Sequence, residues 1–203
     1  MKKLHMVPAS YTYKLKQRDK LIIHQNNINT YIIIEGVLVV HKVFSNQERY
    51  AICILSAGDI ATTPFGFAVA TNYFYEIESL STSYILSCCT ASAQSLKPLI
   101  SMKYSSNTLN HHDIIEILAH KNTKRRIIHV FLILSELFGE YKKNFLTLNL
   151  SISYQTLGSI IGTNKNTINK LIRELEKNNL LIYSKDQITI NNLIDLSQHG
   201  LHR

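Results

Sequence analysis

The chain has 203 residues, 45% of them hydrophobic and 18% charged, with a formal net charge of +8 and an isoelectric point near 9.3. That length holds one large domain or two small ones, and the composition excludes disordered and collagen-like chains. No apolar run nears the length that spans a bilayer, and Met1-Lys2-Lys3-Leu4-His5 leads into polar sequence, so a cytoplasmic protein with no membrane partner is expected.

In the first ninety residues, short β-branched or aromatic runs alternate with turn signals. The runs are Leu21-Ile22-Ile23, Tyr31 to Ile34, Val37 to Val40, Tyr50 to Leu55, Phe74 to Ile77 and Tyr84 to Leu86. Asn26-Asn27, Glu35-Gly36, Ser45-Asn46-Gln47 and Ala57-Gly58-Asp59 punctuate them. Many short strands with regular turns predict a barrel or roll. Three cysteines lie here, Cys53, Cys88 and Cys89. Their spacing is neither a zinc knuckle nor a redox CxxC pair, and their small or apolar neighbours predict buried free thiols. A redox role for one of them is the alternative.

Two helical stretches follow. From Ser106 to His120, Leu109, Ile114, Ile115, Ile117 and Leu118 give a helix with a broad apolar side. His112, Glu116 and His120 share one of its faces, but three ligands spread over two turns rarely converge on one ion. A solvated or dimer-lining face is expected there, and no metal site. From Thr123 to Tyr141 the pattern is apolar nearly all round, from Ile127 and Ile128 to Leu137 and Phe138, which predicts a buried helix. Lys121, Lys124, Arg125 and Arg126 at its start are candidates for phosphate contact or for a solvated hinge.

Ser153 to Arg173 carries the functional signal. Leu157, Ile160 and Ile161 mark one buried helical face, and Gly162 stands where a helix-ending residue with positive φ is wanted. A second helix opens at Asn164 or Lys165, with Ile168, Leu171, Ile172 and Leu175 on its apolar side. Its other face carries Lys165, Asn166, Asn169, Lys170 and Arg173 and no carboxylate. Two helices joined by a tight turn, the second basic and amide-rich, predict a helix-turn-helix. Leu180 to Tyr183, a turn at Ser184 to Gln187, and Ile188-Thr189-Ile190 predict a β-hairpin wing, with Leu146, Leu148 and Leu150 as a third strand. From residue 121 onward twelve Lys/Arg face six Asp/Glu, against ten and eight before it, so the basic excess sits with this motif. Lys165, Asn166, Asn169 and Lys170 are the candidates for base edges. Tyr154, Gln155, Thr167, Arg173 and Lys185 are the candidates for phosphates.

The same residues resemble a known family. Ile152-Ser153-Tyr154-Gln155, Gly158, Gly162, Thr167, Leu175 and Leu180-Leu181 are similar to the DNA-binding segment of Crp/Fnr-type regulators. That family usually opens its recognition helix with an Arg-Glu pair and an Arg one turn later. Lys165, Asn166 and Lys170 stand there in this chain, which implies groove reading with a different base preference. Leu15 to Asn26, Tyr31 to Gly36 and Ile54 to Ile60 resemble, more weakly, a cyclic-nucleotide-binding β-roll. The resemblance implies an α+β bacterial regulator in three parts. Residues 1–93 would form an antiparallel β-roll, 94–121 connecting and dimerisation helices, and 122–203 a winged helix-turn-helix. It implies duplex DNA as partner, with RNA polymerase and a second copy of the chain as further partners.

The family's ligand chemistry is not carried by these residues. In nucleotide-binding members a Glu grips the ribose and an Arg-Ser/Thr pair neutralises the cyclic phosphate. Here Ala61 to Phe67 offers no carboxylate, and Tyr73-Phe74 stands at the Arg-Ser position. A buried phosphate needs a cation or several donated hydrogen bonds, so cyclic nucleotide is not expected to bind in the family manner. An iron–sulfur cluster needs about four cysteines, no residue points to haem, and no cofactor is expected. No Ser-His-Asp or P-loop pattern appears, so the chain is not expected to be an enzyme. The alternative function is a redox or small-molecule sensor whose winged helix contacts a protein.

Overall fold

The computed structural model describes residues 10–23, 29–62, 72–89 and 111–199. The first half holds β1 (Tyr11–Leu15), β2 (Lys20–Ile23), β3 (Asn29–Glu35), β4 (Val37–Phe44), β5 (Arg49–Ser56), β6 (Ile60–Thr62), β7 (Tyr73–Ser79) and β8 (Ser83–Cys89). They form two antiparallel sheets, β1-β8-β3-β6 and β2-β7-β4-β5. The sheets share a core that includes Leu15, Ile33, Leu38, Tyr75, Ile77 and Ile85. This is the roll expected from the punctuated apolar runs.

Several strands are longer than those runs, and β4 and β7 show why. Side chains alternate between the two faces of a strand. Leu38, Tyr75 and Ile77 point into the roll. Val37, Val39, Ala51, Ile54 and Leu80 instead belong to a second core, continuous with the C-terminal half. His41, Glu76 and Glu78 take that outer direction too and are buried. A sheet covered on both faces has no solvent side, so charged residues inside these strands are not strand ends.

The second half holds α1 (His111–Ala119), α2 (Thr123–Phe138), β9 (Glu140–Lys142), β10 (Phe145–Leu148), α3 (Tyr154–Ile161), α4 (Lys165–Lys177), β11 (Leu181–Tyr183), β12 (Ile188–Ile190) and α5 (Leu193–His199). Its sheet runs β11-β12-β10-β9, so the predicted wing pairs with a third strand as expected. α2 carries the fully buried Ile127, Val130, Phe131 and Leu134 into the shared core. It differs from expectation at its end. Gly139 is extended (φ −77°, ψ 132°), and the chain turns into β9, where Tyr141 is 76% exposed. Leu132, Ile133, Leu137 and Phe138 are only partly buried, so the helix is covered on one side rather than all round.

The basic start of α2 is partly structural. Arg126 donates through Nε to the His120 carbonyl at 2.7 Å and through Nη1 to the Ile161 carbonyl at 3.0 Å, tying the ends of α1 and α3 together. Lys124 pairs with Glu174 at 2.8 Å. Of the stretch Ser106 to His120, Leu109 lies outside the described residues. No described helix is long and apolar enough to cross a membrane.

Candidate nucleic-acid interface

Local chemistry sets both helices of the motif. Ser153 opens α3, its Oγ accepting from the Thr156 N–H at 3.0 Å. Gly162 ends it in the left-handed region, at φ 69°. The Thr163 N–H then returns to the Gly158 carbonyl at 2.9 Å. A Cβ on Gly158 would lie 2.6 Å from the Thr163 carbonyl oxygen, so only glycine lets the turn close this tightly. Gly158→Ala is therefore expected to destabilise the protein by about 1–3 kcal/mol, as overpacking does. The check is the urea midpoint at unchanged m.

Asn164 caps α4, its Oδ1 accepting from the Thr167 N–H at 2.9 Å and the Thr167 hydroxyl at 3.1 Å. Ile168, Ile172 and Leu175 are buried beneath it. Lys165, Asn166, Lys170 and Arg173 are exposed on the outside, with Asn169 half-buried between them. The first turn holds a lysine and no acidic residue. That arrangement works against the helix dipole, which favours anions at a helix N-terminus, and it leaves this end strongly positive.

The remaining candidates gather around the same end. Tyr154 is half-buried, its ring 5.4 Å from that of Tyr183, whose hydroxyl donates to the Ile152 carbonyl at 2.6 Å. Burial, then the neighbouring Tyr154, holds the Tyr183 hydroxyl far above the usual tyrosine range. Gln155 and Lys185 are exposed, and Thr167 has its hydroxyl committed to the cap. The wing turn closes through Ser184 N–H to the Gln187 carbonyl at 3.0 Å, and the Gln187 amide donates to Asn149 at 2.8 Å. Tyr154, Gln155, Lys165 and Lys185 line one cleft, while Asn166, Lys170 and Arg173 continue along α4.

The opposite side of α3 docks on the roll through a polar network that the sequence reading missed. Thr156 Oγ1 donates to both carboxylate oxygens of Glu78, at 3.0 and 3.1 Å. Arg49 pairs with Glu78 and, at 2.7 Å, with Glu76, which Lys20 also reaches at 3.1 Å. Arg49 Nη2 lies 2.9 Å from His41 Nδ1, and arginine has only donors, so Nδ1 accepts and the proton sits on Nε2. Nε2 then donates to Ser159 Oγ at 3.0 Å, and Ser159 donates to the Thr156 carbonyl at 2.7 Å. Burial first, then the charges of Arg49 and Lys20, push the His41 pKa down to about 2. His41, Glu76 and Glu78 bring ligand atoms within 4.8 Å of one another, a set a divalent metal could use. Arg49 Nη2 touches all three and takes the cation's place. The available signal was Glu76 and Glu78 at i and i+2 in an otherwise apolar strand.

The other titratable candidates fall outside the motif. Cys53 is half-buried rather than buried, and burial, then Asp59, pushes its pKa up to about 12. Burial, then Cys89, raises the Cys88 thiol as well. Such thiols stay protonated at neutral pH and make poor redox nucleophiles. Of the set His112, Glu116 and His120, the side chain of His112 lies outside the described residues, Glu116 is exposed, and His120 Nε2 lies 3.0 Å from His129 Nδ1.

Residues 125–198 match the family described as a Crp-like helix-turn-helix domain. The ycf28 protein of Porphyra purpurea, named for an HTH-type transcriptional regulator, is 30% identical over 201 residues, covering 94% of this chain and 82% of that one. The chain belongs to the Crp/Fnr superfamily of transcription regulators. This Crp/Fnr regulator is also 24% identical to the global nitrogen regulator of Synechocystis sp., over 83% of its own length and 78% of the relative's. Its fold is similar to a CRP-family transcriptional regulator of Thermus thermophilus, TTHB099, with a TM-score of 0.70 at 12% identity, covering 94% of this chain and 97% of that one. The family is one of regulators, not enzymes.

Proposed function

We propose that this Crp/Fnr regulator binds duplex DNA in a sequence-specific manner, reading base edges with Lys165, Asn166, Asn169 and Lys170 of α4. Tyr154, Gln155, Arg173 and Lys185 hold phosphates on either side, whereas Thr167, the fifth phosphate candidate, gives both its N–H and its hydroxyl to the Asn164 cap. The observation that carries this reading is the N-terminal part of α4, where Lys165, Asn166, Lys170 and Arg173 stand exposed and the first turn holds no acidic residue, beside an exposed wing turn. Amides pair with adenine edges, and lysines with guanine edges or phosphates. A second copy of the chain would place a second recognition helix on the same duplex, and Ile115 and Leu118 of α1, 63% and 39% exposed, are the apolar side chains such a copy would cover.

The reading includes a roll that does not take cyclic nucleotide in the family manner. Tyr73 stands at the first of the family's phosphate-binding positions, and the cation near it, Lys42, lies over its ring at 3.8 Å from the centroid. Adding cyclic nucleotide is expected to leave DNA affinity unchanged.

The test is binding of the full chain to genomic fragments, its own upstream region included, against random DNA and across salt. Asn166→Ala and Lys170→Ala are each expected to lose about 1–3 kcal/mol of discrimination. Lys185→Ala should weaken all sequences alike and flatten the salt slope. Equal losses on selected and random DNA for all three variants would refute the assignment. Binding indifferent to salt would point to a protein partner instead.

A further inference from the structure

We infer that the β-roll itself supplies part of the DNA-binding surface: Arg18, on the β1–β2 turn, joins Lys185 in holding a backbone phosphate in a three-cation cleft, whose third cation, Lys165, reaches on from the rim to the base edges. This rests on the reading of α4 and the wing as a DNA interface and extends it to a residue outside the winged helix.

Three elements distant in sequence converge at the cleft. Arg18 comes from the roll, Lys165 from the first turn of α4, and Lys185 from the wing turn. Ser153, Tyr154 and Gln155 add hydroxyl and amide groups, and no carboxylate is among the lining residues. The two nearest acids in sequence lie elsewhere. Asp19 accepts from the Lys16 N–H at 2.8 Å, and Asp186 is an exposed residue of the wing turn. A cleft with three cations and no internal counter-charge suits an anion. It flanks the reading face of α4, where a duplex seated on that face would bring its backbone.

Arg18 is built into position rather than trailing from the roll. It has positive φ, 70°, and its N–H donates to the Ser79 carbonyl at 2.6 Å, which fixes the turn against the end of β7. Its Nε donates to Ser151 Oγ at 2.7 Å and its Nη2 to the Lys185 carbonyl at 2.9 Å. Ser151 Oγ donates to the same carbonyl at 2.9 Å. The guanidinium therefore sets the wing turn and lends it a charge, while the residue remains exposed.

The experiment compares the full chain with Arg18→Gln, Arg18→Lys and Ser151→Ala on a selected fragment and on random DNA across salt. Arg18→Gln should weaken both DNAs by a similar factor and lower the salt slope by about 1, the signature of one lost phosphate contact. Arg18→Lys should keep the slope, and it serves as the readout if the glutamine variant folds poorly. Ser151→Ala removes an anchor but no charge, and should leave the slope unchanged. A wild-type slope in Arg18→Gln, or the same slope loss in Ser151→Ala, would overturn the inference while leaving the α4 reading intact. Wild-type binding that is neither selective nor salt-steep would sink the α4 reading itself. Inorganic phosphate, titrated at fixed ionic strength, tests for a free anion. Arg18-dependent competition by phosphate, with no slope change in Arg18→Gln, would reassign the cleft and overturn the DNA assignment.

Discussion

Glu78→Ala is expected to destabilise the protein by about 3–5 kcal/mol, the range found when one member of a buried ion pair is removed. The Glu78 side chain is 4% exposed and that of Arg49 is 10% exposed. Without Glu78, Arg49 keeps only Glu76 as a carboxylate partner, and the Thr156 hydroxyl is left with Ser153 Oγ, 2.8 Å away, as its side-chain partner. Glu78→Gln keeps the volume and the acceptor for Thr156 and should fall between wild type and alanine. Glu48→Ala, on the exposed β4–β5 turn, is the control and should shift the urea midpoint little. A Glu78→Ala midpoint indistinguishable from that control would mean the network contributes nothing to stability.

Acidification is expected to weaken the fold steeply, and His41 to account for much of the slope. Its folded pKa lies at about 2, against 6.5 for an unburied histidine. Between those values the unfolded chain binds a proton that the folded chain refuses. His41 therefore contributes stability that is fully present above pH 6.5 and is lost as pH falls toward 2. The slope is at most about 1.4 kcal/mol per pH unit for one group. From pH 6.5 to about 4.5 that amounts to roughly 2–3 kcal/mol. The structural reason is that Nδ1 is already occupied by Arg49 Nη2, so a second proton meets both burial and a fixed positive charge. His41→Gln should be less stable at neutral pH and lose less on acidification. Urea midpoints at three pH values for both proteins provide the check, and parallel curves would exclude His41 as the source.

The winged helix was legible because its signals are local. Ser153, Gly162 and Asn164 cap the two helices where composition and periodicity placed them, and the wing follows from alternation around a polar turn. The strands of the roll were legible as positions but not as lengths. His41, Arg49 and Glu78 look like strand ends in a sequence, and only the cover over the second sheet face makes them interior. The α2 terminus was overrun by three residues because apolar Phe138 and Tyr141 keep helical spacing across Gly139. Periodicity placed Lys165, Asn166, Lys170 and Arg173 on the outside of α4, where they are exposed. It could not bring Arg18 to the wing, since that contact joins residues 167 positions apart.

The outer face of the β2-β7-β4-β5 sheet is both the back wall of the roll and the floor beneath α3. Val37, Val39, Ala51 and Ile54 share one continuous apolar interior with Phe131, Leu157 and Ile160. The two halves are therefore packed through one shared interior, and a single cooperative melting transition is the expected result. Close-packed interiors transmit displacement rather than absorb it. A shift of β4 or β7 inside the roll would tilt α3 on its polar anchors, and α3 would carry α4 with it as a rigid lever.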